Sequence, residues 1–397
     1  MIHELGWLLF FVALIGSVCI HEAGHFVMAK RFGMKATQFF AGFGPTVWSF
    51  QRGETEYGIK AIPAGGFVKI IGMTALEEVA PEDEPRAFYK QKAWKRTVVL
   101  AAGSFMHFVI ALVLFWAVLL LIGTTKIDLT LHSVTCARGS IATTCTPTAP
   151  APALAAGLRP GDTLVSYDGK ALKNWDSFTQ AVQDGGVAPA TVVVKRDGVL
   201  KTFTLTPVSV KDATGAVLKL ANGKPAPKLG VSSAVTKHYN VLSAVPETFS
   251  LFGQTTVETV KGLGKLPSAI THLFDRGRSA ANSPASVVGV GKIAGDAVAS
   301  GSFSDRAAGL LGIVASLNLF VGLFNLLPLL PLDGGHIAIL WFETVRSRLA
   351  RLFRRPDPGR VDIAKLTPAL YAVLILIVGL SVTLIAADIV NPIANPF

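Results

Sequence analysis

Cys19-Ile20-His21-Glu22-Ala23-Gly24-His25 decides how the rest of this chain is read. His21 and His25 stand four residues apart, which on a helix puts both imidazoles on one face, one turn from each other. Two imidazoles at that spacing bind one zinc, and a Glu directly after the first His is placed to act as general base on an activated water. The surroundings sharpen the pattern. Between residues 5 and 29 the only ionisable side chains are Cys19, His21, Glu22 and His25. A run of that length and apolarity spans a bilayer, where ionisable groups are costly enough to mark a functional site. The plainer alternative is a pair of buried histidines satisfied by hydrogen bonds, with Glu22 facing a basic group.

With 397 residues, 51% hydrophobic and 16% charged, and a mean hydropathy of +0.49, the chain is too apolar for an ordinary soluble protein. It is also too polar to be membrane throughout, so a few spanning helices plus a soluble domain are expected. The formal net charge of +11 does not require nucleic acid. Much of the basic excess flanks apolar runs, where it sets topology and touches anionic lipid. The cysteines, Cys19, Cys136 and Cys145, form no C-x-x-C, which speaks against a structural zinc finger. Cys19 reads as a small core residue. Cys136 and Cys145 share a Thr/Pro/Ala-rich loop and are a candidate disulfide if that loop is extracytoplasmic.

The first run lacks a basic leader, and Lys30, Arg31 and Lys35 follow it. It therefore reads as an uncleaved span, residues 1–29, with its N-terminus outside. Residues 30–96 form a basic cytosolic loop. Within it residues 56–63 alternate like a strand, and Gly65-Gly66 is expected to turn the chain into a second strand over 67–71. Such an apolar hairpin either dips into the bilayer under protein cover or stays a small cytosolic hairpin. The acidic stretch 77–85 reads as a solvated loop. A second span covers 97–122, with His107 its only ionisable residue and Ala101, Gly103 and Ser104 giving a small-residue face.

Residues 126–236 read as an extracytoplasmic β-rich domain. Strands are expected at 163–167, 190–195 and 200–206, with tight turns at Asp168-Gly169 and Asp197-Gly198. Residues 237–306 hold an amphipathic helix or two at the outer membrane surface, then a Gly/Ser/Ala-rich connector from 277 to 304. A third span, 307–345, is interrupted by prolines and glycines and carries Asp333, a carboxylate that needs an interior partner. His21 and His25 supply one if they hold a metal, since two His and one acid form a catalytic zinc set; pairing with His107 or His336 is the alternative. Arg346, Arg348, Arg351, Arg354 and Arg355 make 346–365 a cytosolic basic loop. A fourth span at 366–389 then leaves both termini extracytoplasmic.

HEAGH (21–25), GGFVKIIGM (65–73), the PDZ-like GLRPGDTLVSYDGK (157–170) and NLLPLLPLDGGH (325–336) together resemble the site-2 protease family of intramembrane zinc metalloproteases. Within it the chain is most similar to the bacterial regulator-of-sigma-E protease type. The fold so implied is a polytopic α-helical membrane protein with four transmembrane helices, in the bacterial cytoplasmic membrane. A cytosolic-side membrane-reentrant β-element and an inserted extracytoplasmic PDZ-like β-rich domain complete it. The resemblance implies one Zn2+ per chain on His21, His25 and Asp333, with Glu22 as catalytic acid/base. It further implies that Asn325, Pro328 and Pro331 hold or orient the substrate. The element around Gly65, Gly66 and Phe67 would then present the substrate strand. Implied partners are single-span membrane proteins such as anti-sigma factors or signal-peptide remnants, a site-1 protease acting earlier on the same substrate, and the lipid bilayer. Peptide ends would bind the PDZ-like domain by strand addition, and no nucleic acid is implied.

One motif departs from the family. Its G-P-x-x-N becomes Gly103-Ser104-Phe105-Met106-His107, so His107 stands where Asn is usual. His107 could substitute for that Asn beside the zinc, compete for the metal, or signal altered activity. Two other function classes compete with the protease. A catalytically silent PDZ-containing membrane scaffold is favoured only by that altered motif. A metal transporter or sensor would need further polar residues through the other spans, and those are sparse.

Overall fold

The computed structural model describes residues 2–73, 79–136, 151–209, 217, 225–274, 283–299, 301–356, 358–359, 361 and 363–391. The chain divides into two units, residues 1–122 with 239–397 and residues 123–238. It begins with helix α1 (Ile2–Arg31), strands β1 (Ala36–Arg52) and β2 (Thr55–Ile70), and helix α2 (Ala93–Ile122). The second unit follows with β3 (Thr124–Ile127), β4 (Ser133–Val134), α3 (Pro152–Ala155), β5 (Thr163–Tyr167), β6 (Lys170–Ala171) and α4 (Trp175–Gly185). It closes with β7 (Ala190–Arg196), β8 (Val199–Leu205), β9 (Val208–Ser209), β10 (Pro227–Lys228), β11 (Val231–Ser232) and β12 (Ala234–Lys237). The first unit resumes as α5 (Ala244–Thr271), α6 (Val287–Ala299), α7 (Phe303–Asn325), α8 (Asp333–Leu352) and α9 (Thr367–Val390).

Among the described residues four helices, α1, α2, α7 and α9, are long and apolar enough to cross a membrane. Small residues let them approach. A Cβ on Gly24 of α1 would lie 2.6 Å from the Ala102 carbonyl oxygen of α2, so the two backbones touch where they meet. On its other side α2 packs Ala111 and Phe115 against Ala315 and Leu319 of α7. The stretch expected to be a connector instead contains α6, and its glycines explain both the misreading and the packing. Gly291 lies under the Trp7 ring, and Gly295 meets Gly6, so α6 seats closely on α1. Its start is tied to α9, where buried Asp388 (7% exposed) accepts the Ser286 N–H at 2.7 Å. The segment read as one or two amphipathic helices forms the single helix α5, with Pro267 inside its last turns.

The third span is interrupted at its prolines and glycines, as expected, and the break there is complete. α7 stops at Asn325, residues 326–332 form a turn containing Pro328 and Pro331, and α8 starts afresh at Asp333. Proline removes an amide donor and collides with the preceding turn, which ends the helix there. A Cβ on Gly334 would lie 2.2 Å from the Leu326 carbonyl oxygen, so the turn folds directly back onto the first residues of α8.

The β-element is larger than the alternation suggested. The hairpin turn falls at Gly53-Glu54, not at Gly65-Gly66, and β2 runs on through both glycines. Residues 38–41 face 66–69 on one side and 56–59 on the other, so the long strands curl over themselves. Glu54 in the turn accepts two hydrogen bonds from the Arg86 guanidinium at 2.6 and 2.8 Å and pairs with Lys30 at the end of α1. Of the acidic stretch, residues 77 and 78 lie outside the described residues. Asp83 pairs with Lys35 at 2.6 Å, and Glu84–Arg86 form a 3-10 turn.

In the second unit a four-stranded sheet of order β6-β5-β7-β8 carries α4 and a core of Leu131, Leu158, Leu164, Tyr167, Phe178, Val192 and Val194. Asp168-Gly169 and Asp197-Gly198 make its tight turns with both residues at positive φ, the geometry that matches strand twist in two-residue hairpins. Cys136 is buried, while Cys145 of the expected disulfide lies outside the described residues. Asp162, 1% exposed, accepts Arg196 Nε at 2.6 Å, Arg196 Nη2 at 2.8 Å and the Arg159 amide at 2.8 Å. Burial alone would raise its carboxyl, but Arg196 and that amide hold it below the ordinary range. The pair therefore stabilises the unit fully above the unfolded carboxyl value of about 3.9 and loses that contribution as pH falls through the lowered one. Asp162→Asn removes the carboxylate that Arg196 and the Arg159 amide share, and urea unfolding is expected to show a lower midpoint at neutral pH. That difference between the proteins should shrink in acid.

Candidate metal centre

The apolar run of α1 forces its few polar side chains inward, and they meet residues delivered by α2 and α8. His25 places Nδ1 2.7 Å from the Val99 carbonyl oxygen, which can only accept. The ring proton therefore sits on Nδ1, and Nε2 offers its lone pair. That atom lies 3.1 Å from His21 Nε2, and both nitrogens lie 3.5 Å from Asp333 Oδ2. Asp333 Oδ2 is buried and accepts no hydrogen bond. The His25 lone pair and the Asp333 carboxylate, with His21 Nε2 beside them, are placed to share one cation. The three donor atoms lie within 4.8 Å of one another, and two imidazoles plus one carboxylate are a catalytic zinc set.

The cradle is tight because α2 contributes a glycine. A Cβ on Gly103 would sit 2.3 Å from His25 Nε2 and 2.5 Å from His21 Cε1. Asp333 arrives at the start of α8, directly after the turn that ends α7. Its Oδ2 faces His21 and His25, while His107 turns Nδ1 to Asn318.

A profile of Peptidase family M50 matches residues 9–355. The chain belongs to peptidase family M50. It is 39% identical to zinc metalloprotease Rip1 of Mycobacterium tuberculosis over 409 aligned positions that cover 99% of both chains. The Rip1 proteins of Mycobacterium bovis BCG and Mycolicibacterium smegmatis are 39% and 37% identical, again over 99% of each chain. With four apolar helices, this M50 chain is a multi-pass membrane protein.

Around the M50 site the other expected residues fall as follows. Gly66 packs its backbone against the Glu22 side chain, with an ideal Cβ position 3.4 Å from Glu22 Cγ. Phe67 stacks on Phe40 and Phe43, and Gly65 also abuts the Phe43 ring. Asn325 ends α7, and Pro328 and Pro331 lie exposed in the turn before Asp333.

His107 has a partner that sequence reasoning did not supply. Its Nδ1 lies 2.8 Å from Asn318 Oδ1, 211 residues away. The directions of the surrounding bonds are fixed. Asn318 Nδ2 donates to the Val314 carbonyl oxygen and to Ser17 Oγ, which itself donates to Ala13. Asn318 thus turns Oδ1 to His107, so His107 carries its proton on Nδ1. The His107 ring packs 5.0 Å from that of His21, tilted by 40°, and limits its rotation. A polar residue at a helical interval inside α7 was the only available sign of Asn318.

Two outcomes are expected. Gly103→Ala should lower zinc affinity by at least about tenfold, measured by competition with a chelating dye, because the Cβ overlaps both imidazoles. Asn318→Leu and His107→Leu should each weaken zinc binding by roughly tenfold, and the double variant no more than the worse single one, since the two act as one unit.

Proposed function

We propose that this zinc metalloendopeptidase cuts peptide bonds within or next to the transmembrane segments of single-span membrane proteins, in regulated intramembrane proteolysis. Anti-sigma factors and signal-peptide remnants left by an earlier site-1 cut are the substrate class. The observation that carries the reading is the convergence of His21, His25 and Asp333 inside a unit of apolar spanning helices. In this reading those three residues hold the zinc and Glu22 is the acid/base. Zinc there supplies Lewis acidity, activating a water and polarising the scissile carbonyl.

Glu22 takes the water's proton and returns it to the leaving amine. Its electrostatic interaction with His25 and Asp333 supports that role. A helical substrate keeps its carbonyls hydrogen-bonded and must be unwound before attack. The curled element of β1 and β2, whose Gly66 abuts Glu22, is suited to pair with the extended segment as a membrane-reentrant element. Asn325, Pro328 and Pro331 then orient that segment beside Asp333. The second unit, with its strands and its Asp-Gly turns, serves as an extracytoplasmic PDZ-like module for peptide ends. The basic residues that follow α1 and α8 support both termini outside the bacterial cytoplasmic membrane.

The test is cleavage of a membrane-embedded single-span substrate by the purified full chain. Glu22→Gln should lower the rate roughly 10²–10⁴-fold while zinc content stays at the wild-type level. A zinc chelator should abolish cleavage in the wild type. Undiminished cleavage by the Gln variant would remove Glu22 from the chemistry.

A further inference from the structure

α8 carries Asp333 in its first turn and a cluster of arginines at its other end, so one helix about 30 Å long joins the metal site to a strong positive charge. Its first half is docked. Leu340 is buried with Val99 and Leu100, and Glu343 lies 3.9 Å from Arg96 and accepts the Val361 N–H at 2.8 Å. Those contacts set Glu343 level with the beginning of α2, beside the basic residues Lys92, Lys95 and Arg96.

From Trp341 on, the opposite side of the helix has another character. Trp341, Phe342, Val345, Leu349 and Leu352 are all exposed, Leu352 by 74%. At helical spacing they share one arc roughly 100° wide. Arg346 and Arg348 border that arc on opposite sides, and Arg351 lies on the far face. Arg346 rests over the Phe342 ring and donates to the Gly359 carbonyl oxygen at 2.7 Å. Among the described residues no carboxylate lies within ion-pair distance of Arg346, Arg348 or Arg351. An apolar arc of this size is unfavourable in water, and guanidinium groups are unfavourable in hydrocarbon. Both are satisfied at the boundary between acyl chains and headgroups.

We infer that the second half of α8 lies in the headgroup boundary against anionic lipid, and that lipid charge thereby sets how firmly Asp333 is held. The excess of arginine selects negative headgroups over zwitterionic ones. Because Asp333 and the arginines share one helix, a change in seating at one end reorients the other. The inference rests on the metalloprotease reading for its zinc-affinity and activity readouts, while the quenching readout stands apart from it.

The full chain is reconstituted in phosphatidylcholine vesicles with and without phosphatidylglycerol. Brominated lipid should quench Trp341, read as the difference between wild type and Trp341→Phe. No quenching would mean that protein or water covers this face, and the inference fails. Phosphatidylglycerol should raise both zinc affinity and cleavage by about fivefold, the weight of one arginine at an anionic surface. Arg348→Gln with Arg351→Gln should abolish that response, and the corresponding Lys variants should keep it. Free inorganic phosphate should have no effect. A response equal in wild type and Gln variant would assign the lipid effect to other basic residues and overturn the inference. Quenching and zinc affinity need no substrate, so failure of the cleavage arm alone would count against the proteolytic reading instead.

Discussion

Backbone contact between α1 and α2 is the constraint from which the metal site follows. Gly24 lets the Ala102 carbonyl approach α1, and Gly103 leaves room for both imidazoles where any side chain would intrude. At ordinary helix separation, Val99 would not reach His25 Nδ1, and the histidine would lose the acceptor that fixes its tautomer. The glycines therefore serve geometry and electronics together. They bring a carbonyl close enough to direct one nitrogen, and by doing so they aim the other at His21 Nε2 and Asp333 Oδ2.

The third residue of the candidate metal set comes from a different device. α7 ends at its prolines, the turn folds onto Gly334, and α8 begins with the acid already facing the histidines. A continuous helix would carry Asp333 past the site at one fixed phase. A broken one frees the position and direction of the carboxylate from the packing of α7 on α2. The site is thus assembled from two helix crossings and one turn, each enforced by small or rigid residues.

How much of this can be read from the sequence depends on distance along the chain. His21, Glu22 and His25 are local, periodic and set in an apolar run, so chemistry and span are legible at once. Asp333 is legible because an acid amid prolines and glycines suits no plain anchor. Asn318 is not, since its meaning lies in His107, 211 residues away, and in bond directions that only three-dimensional contacts define. Leucines carry apolarity straight through 326–332, so hydropathy alone ran the third span past its break. The first 17-residue strand, β1, was overlooked because it pairs on both sides and so lacks simple alternation. α6 was read as a linker for the opposite reason. Its Gly and Ala content resembles a flexible segment, yet those residues are what close packing on α1 requires.

Asp388 extends that dependence to the order of synthesis. The carboxylate that receives the Ser286 amide at the head of α6 lies 102 residues later in the chain, near the end of the last helix. While the ribosome is still making α7 and α8, the Ser286 amide at the head of α6 has no such acceptor. The arrival of α9 completes the head of α6, and with it the flank of the helix that bears both histidines. A chain that stops before residue 388 lacks this closure, so the seat of α6 beside the histidine-bearing helix depends on a residue made 102 positions later.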